Sequence, residues 1–126
     1  MGSIQEKNKE IVKNFYDLII NKKDFETARQ YMGHRYKQHN PLVKDYPEGL
    51  KELIEFLKIN YPEARSEIKR IIAEGDYVAI HVHSIRSPKI QRAIVDIFRL
   101  ENGKIDEHWD VIQDIPETSA NSNGMF

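Results

Sequence analysis

Asp96, His108 and Asp110 alternate with apolar side chains in the stretch from Ile94 to Gln113, IVDIFRLENGKIDEHWDVIQ. Carboxylates and imidazoles are the side chains that most readily take protons from, and return them to, reacting groups near neutral pH. Two alternating apolar runs flank Glu101-Asn102-Gly103-Lys104, and an Asn-Gly between such runs signals a β-hairpin. Because a strand alternates its side chains between two faces, Ile94, Asp96, Phe98 and Leu100 share one face of the first strand. On the returning strand His108, Asp110 and Ile112 share a face, and Glu107, Trp109, Val111 and Gln113 take the other. If the hairpin closes so that these faces coincide, Asp96, His108 and Asp110 converge on one apolar wall with Phe98 and Ile112. A carboxylate that only solvates the surface has little reason to sit there, since burying it without a partner is costly. The pattern predicts a small-molecule site.

The rest of the chain supplies elements to build around that wall. Ile4 to Ile20 places Ile4, Ile11, Val12, Phe15, Leu18 and Ile19 at helical spacing, and Asn21-Lys22-Lys23 ends the helix. Asp24 can cap a second short helix running through Tyr31, with Phe25, Ala28 and Met32 inward. Arg35 to Asn40 reads as a short strand or extended segment that stops at Pro41, because a residue before proline avoids the helical region. Pro47-Glu48-Gly49 opens a third helix burying Leu50, Leu53, Ile54 and Leu57, closed by Tyr61-Pro62. From Ser66 the period changes to two. Strands are expected over Ser66 to Ala73, Tyr77 to Arg86 and Ile90 to Leu100, and the hairpin supplies the fourth. Three helices followed by four long strands indicate an α+β fold, with helices packed on one face of a curved antiparallel sheet. Such a sheet leaves a cone-shaped interior suited to an apolar pocket with a few convergent polar groups.

Composition narrows the classes of function. The 126 residues form one expected domain with residues 116–126 as a tail, and 40% hydrophobic and 31% charged residues are ordinary for a globular protein. Nineteen basic and twenty acidic side chains give a net charge of -1, so no basic excess points to nucleic acid. The absence of cysteine removes disulfides, thiolate nucleophiles and cysteine metal sites. No apolar run approaches the roughly 20 residues needed to span a bilayer, and the N-terminal residues lack the apolar core of a signal peptide. The expectation is a cytoplasmic protein without nucleic-acid or membrane partners. The polar tail ends in Met125-Phe126, an apolar pair that raises the question of whether it folds back over the cavity mouth.

The order of elements resembles the ketosteroid-isomerase/nuclear-transport-factor-like superfamily, and within it the SnoaL-like polyketide cyclases. The resemblance runs from about Ile11 to Gln113. It is carried by Tyr36-Lys37-Gln38-His39-Asn40-Pro41, Gly49, Val95-Asp96-Ile97-Phe98-Arg99, Asn102-Gly103-Lys104-Ile105 and Glu107-His108-Trp109-Asp110. It implies a cystatin-like roll, with a cone-shaped curved sheet and three helices enclosing a pocket. It also implies acid/base chemistry without a cofactor on a small, largely apolar carbonyl compound, of the aldol condensation or cyclisation type, with hydration or isomerisation as neighbouring reactions. Asp110 matches the general acid/base of the cyclases. Asp96 stands where the cyclases carry an assisting histidine and where the isomerases carry a protonated, oxyanion-donating aspartate. Tyr16 matches the second isomerase donor. The isomerase base, an aspartate before a proline, is replaced here by Asn40 before Pro41, and an amide cannot take a proton from carbon.

Around these four candidates, Asp110, Asp96, His108 and Tyr16, the expected ligand-lining residues are His39, Asn40, Tyr36, Gln38, His83, Phe98 and Ile112. His81 and His83 share a strand face, and one of them is expected to reach the cavity. No ligand motif fixes a metal site, so none is expected. Trp109, facing away from Asp110, belongs to the core or to a subunit interface, and the superfamily resemblance implies a homodimer. The same pocket could instead hold a ligand without reacting with it.

Overall fold

The structure, a computed structural model, describes residues 2–126. Its first element is α1 (Ile4–Tyr16), whose first turn is closed by Ser3, with Oγ accepting from the Glu6 N–H. Val12, Phe15 and Tyr16 form its buried face, while Ile4, expected inward, stands exposed at the helix start. Directly after Tyr16 the helix widens into a π-helical turn, Asp17–Asn21. The chain then leaves through Lys23, in the left-handed region at φ 54°. Its ammonium donates to the carbonyls of Ile20 (3.0 Å), near the end of the π-helical turn, and Ala64 (2.5 Å), in the loop just before Arg65. Asp24 caps α2 (Phe25–Ala28) through the Thr27 N–H, and a 3-10 turn, Arg29–Tyr31, extends it. Asp45 caps α3 (Tyr46–Asn60), with Pro47 in the first turn, where no intrahelical donor is lost.

Five strands follow the period-two segments: β1 (Met32–Gln38), β2 (Arg65–Glu74), β3 (Tyr77–Ser87), β4 (Ile90–Glu101) and β5 (Lys104–Asp114). They form one sheet in the order β1-β5-β4-β3-β2. The fold is α+β, as expected, with four strands antiparallel in sequence order. The segment before Pro41 is longer than expected on its N-terminal side and is a true strand, parallel to β5. That pairing is non-local, so hairpin signals cannot report it. Irregularities interrupt the register between Ile68 and Arg70, Ile85 and Ser87, and Arg99 and Leu100. Bulges of this kind bend a strand and increase its twist, which curves the sheet around α1 and α3.

The inner face carries Val78, Ile80 and Val82 of β3 and Ile94, Phe98 and Leu100 of β4, packed against Val12, Phe15 and Ile19 of the first helix and Leu50 and Ile54 of α3. The outer face carries the alternate residues, including Tyr77, Val95 and Val111, all exposed. Residues 115–126 follow the sheet without regular structure. Phe126 ends against His83 and His81, with ring centroids 4.6 and 5.4 Å away. The apolar terminus therefore lies on the outer sheet face and not over the cavity.

Candidate functional site

The register of the hairpin makes the site. Asp96 pairs directly with Asp110 and Phe98 with His108 across the β4–β5 ladder, so the two strand faces coincide. On the other side of β5, the parallel pairing sets Gln38 of β1 beside His108. Tyr36, at φ 29° beside the β1 irregularity, turns its ring into the core. Its ring is nearly parallel to that of His108, with centroids 6.4 Å apart and an interplanar angle of 8°, and the Phe98 ring lies 4.9 Å from the imidazole.

His108 is held at both nitrogens. Its Nδ1 lies 2.6 Å from Gln38 Oε1, and its Nε2 lies 2.8 Å from Asp96 Oδ1. Gln38 Oε1 also accepts the backbone N–H groups of His39 (3.1 Å) and Asn40 (3.0 Å). An oxygen engaged by two backbone donors can only be an acceptor toward the imidazole, so Nδ1 carries a hydrogen. The labile proton of the pair then lies between Nε2 and Asp96. Asp110 is 3.9 Å from the same Nε2 and accepts from Asn40 Nδ2 at 2.9 Å. The direct partner of His108 is thus Asp96, not its sequence neighbour Asp110.

Asp96 is buried, and its Oδ2 has no hydrogen-bond partner among the described residues. Burial pushes its carboxyl above the usual range, against the opposing pull of His108. Burial and the neighbouring Asp96 likewise push the phenol of Tyr16 well above its ordinary value. A raised carboxyl makes the folded state bind its proton more tightly than the unfolded chain does. Stability is therefore lost as pH rises from the ordinary value of 3.8 through the raised one. Asp96→Asn should remove that slope. Thermal midpoints of the two proteins measured across the acidic to neutral range should diverge in favour of the variant as pH rises; a constant difference would exclude a raised Asp96.

These groups open on a cavity of about 470 Å³ between the sheet, α1 and α3. Of the sequence candidates, Tyr16, Asp96, His108, Asp110, Asn40, Tyr36, Gln38, Phe98 and Ile112 line it. His39 and His83, expected at the pocket, are not among its lining residues. The alternation that turns Tyr36, Gln38 and Asn40 inward turns His39 outward, where it stacks on Trp109 at 4.9 Å and meets Glu107 at 2.7 Å. His81 and His83 are the outer-face partners of Val95 and Ala93; His83 bonds Gln91 and His81 meets Arg70. The buried residues of β3 are Val78, Ile80, Val82 and Ser84, so neither histidine enters the cavity. Arg86, Arg92, Ser66 and Ser84, absent from the sequence candidates, also line it. For Arg92 the signal was present, since it lies two strand periods from Asp96 on the same face.

Asp96, His108 and Asp110 are also the one group of described residues whose ligating atoms lie close enough, within 4.8 Å of one another, to hold a cation. A cation there would compete with Asp96 for Nε2. The arrangement offers a carboxyl whose pKa burial raises, an imidazole held at both nitrogens, and a second carboxyl bonded by an amide.

The α+β roll thus encloses a polar cluster within a largely apolar cavity, the form that small-molecule sites commonly take. The chain belongs to the SnoaL-like domain family, whose model matches residues 12–108. No curated protein matches the sequence closely enough to carry an argument. Among solved structures, it is similar to IdmH from Streptomyces antibioticus, a proposed polyketide cyclase, at 16% identity and a TM-score of 0.69 over 83% of this chain and 91% of that one. It is similar to AclR from Streptomyces galilaeus, a proposed hydroxylase, at 20% identity and a TM-score of 0.72 over 86% and 76%. A proposed ketosteroid isomerase from Kribbella flavida aligns at 14% identity and a TM-score of 0.73 over 95% and 85%. At these identities the likeness is one of fold, and the three different activities show how little the fold alone says about chemistry.

Proposed function

We propose that the protein catalyses cofactor-independent acid/base chemistry on a small carbonyl compound, of the aldol condensation or cyclisation type. The observation that carries this reading is the His108–Asp96 pair, oriented by Gln38 and leaving Asp96 Oδ2 unpartnered beside Tyr16 and across from Asp110. Asp110 takes a proton from the carbon next to the carbonyl. The Tyr16 hydroxyl, and Asp96 once its proton turns from His108 Nε2 to the unpartnered Oδ2, donate to the enolate oxygen as charge develops there, which is where preorganised donors lower a barrier most. The enolate carbon then attacks a second carbonyl. A new carbon–carbon bond forms, and the proton held by Asp110 passes to the resulting alkoxide. Asn40, at the place of the isomerase base, orients Asp110 instead of acting as a base.

Deuterium uptake at the α-carbon of aryl methyl ketones, followed by proton NMR, tests this. The protein should accelerate exchange well above buffer. The alternative, a binding domain that holds its ligand unchanged, would show saturable binding with exchange at the buffer rate.

The polar head and apolar walls fit a largely apolar carbonyl ligand. No described helix is long and apolar enough to cross a membrane; together with the absence of cysteine, this supports a cytoplasmic protein. The outer sheet face supports a homodimer, because Ile72, Tyr77, Val95 and Val111 are all exposed there beside Trp109, and contiguous apolar surface of this kind marks association sites. Val111→Lys should convert a sedimenting dimer to monomer. A wild-type protein that stays monomeric at every concentration would remove this part of the reading.

A further inference from the structure

The end of the cavity away from Asp96 carries positive charge that no described residue neutralises. Four cationic side chains line the cavity: Lys44, Arg65, Arg86 and Arg92. Lys44 is paired with Glu52 at 3.2 Å and Arg65 with Glu67 at 2.6 Å. Arg86 and Arg92 form no ion pair among the described residues, and the Arg92 Nε is buried with no hydrogen-bond acceptor. Asp114, opposite Arg92 in the β4–β5 register, is exposed and makes no salt bridge to it. The Arg86 guanidinium lies over the rings of Tyr61 and Phe56, 5.4 and 5.9 Å from their centroids. That contact fixes it in direction while leaving its hydrogen-bond donors free. Burial and the adjacent charge of Arg92 both push its pKa down, as expected for two cations sharing a site without an anion.

The sheet register aligns this feature. Ser66, Ser84 and Arg92 are directly paired neighbours across β2, β3 and β4, and the two serines are buried. Arg92 and Asp96 lie four residues apart on one strand, about 13 Å between α-carbons at the usual rise per residue. Between them the wall is apolar, with Ile94 and Ile112 on the sheet and Leu50, Leu53 and Phe56 facing from α3. Guanidinium forks match the planar geometry of a carboxylate and bind it through charge-assisted hydrogen bonds.

We propose that Arg86 and Arg92, with the Ser66 and Ser84 hydroxyls, form a carboxylate-binding subsite, and that the ligand is an elongated keto acid. Its carboxylate sits between the arginines, its apolar middle spans Ile94 and Ile112, and its carbonyl reaches Asp96. Only the placement of the carbonyl rests on the function proposed above; the anion subsite stands without it.

The test compares para-acetylcinnamate, a rod with a carboxylate at one end and a methyl ketone at the other, with its uncharged methyl ester. Calorimetry should show the acid binding the wild-type protein at least tenfold more tightly than the ester. Arg92→Gln and Arg86→Gln should each erase most of that preference by weakening the acid far more than the ester, with far-UV circular dichroism and thermal midpoints showing that the variants remain folded. Equal binding of acid and ester by the wild type, failure of both to bind, or an acid preference that survives both substitutions would overturn the subsite. Deuterium exchange at the acetyl group is read in the same samples. A strong acid preference without exchange would leave the subsite standing and remove the catalytic reading, and exchange without an acid preference would do the reverse.

Discussion

Asp110→Asn should lower protein-catalysed deuterium exchange at a ketone α-carbon by about 10²–10⁴-fold, the usual contribution of a positioned base, with little change in thermal midpoint. The amide cannot accept the proton, but its oxygen can still receive the Asn40 Nδ2–H that now meets Asp110 at 2.9 Å. The local hydrogen bonding therefore survives. Asp96→Asn should cost less, because an amide still presents a donor to the enolate oxygen. The order of the two effects is the informative quantity. If Asp96→Asn proved the more damaging variant and Asp110→Asn nearly neutral, proton abstraction would belong to the His108–Asp96 pair instead, with Asp110 only balancing its charge. NMR exchange rates for the two variants, measured beside the wild type at one pH, decide between these assignments.

Gly49→Ala should be the most destabilising small substitution in the chain. A Cβ at this position would lie 1.8 Å from the Lys44 carbonyl oxygen and 2.5 Å from its carbon. Both atoms are backbone, so no side-chain rotation relieves the contact, and the segment before α3 must move. That segment is tied down at Asp45, whose carboxylate accepts from the N–H groups of Gln38 and Tyr46 and from Arg35. A cost of about 3 kcal/mol or more is expected, corresponding to a fall of about 10 °C in Tm. Gly75→Ala provides the comparison: it has φ +57° and nothing within 4 Å of the added methyl, so it should cost about 1 kcal/mol through backbone strain alone. Because Leu42, Val43, Lys44 and Gly49 all line the cavity, Gly49→Ala should also weaken ligand binding, which Gly75→Ala should not. Thermal melts of the two variants giving equal losses would show that the α3 approach is not as tight as its geometry indicates.

Much of this site was legible because strand alternation is a local rule. Once Ile94 to Leu100 and Lys104 to Gln113 are strands, the identities of Asp96, His108, Asp110, Phe98 and Ile112 determine which residues share a wall. The same rule, applied from Tyr36 through Asn40, separates Gln38 and Asn40 from His39. His39, expected at the pocket, has the opposite parity and lies outward against Trp109 and Glu107. His83 lies outward for a different reason. On β3 either parity offers a plausible inner face, with Val78, Ile80 and Val82 competing against Ala79, His81 and His83, and packing against the helices selects the more apolar set. The polar residues Arg86 and Ser84 then enter the cavity on the same parity as the valines.

What the sequence determined by itself was the set of elements, their helical or strand periods, and the concentration of proton-handling side chains on one hairpin face. All of these depend on residues close together in the chain. What only the tertiary structure decided was how those side chains pair. The parallel contact of β1 with β5 places Gln38 against His108 and Asn40 against Asp110, and it joins segments roughly seventy residues apart. That contact gives His108 to Asp96 and leaves Asp110 to Asn40. The cavity's charge is decided in the same way. Whether an arginine is neutralised depends on which carboxylates the fold brings within reach, and the fold supplies partners to Lys44 and Arg65 but none to Arg86 and Arg92. Local periodicity can show which way a side chain points; only the assembled sheet and helices determine what it meets there.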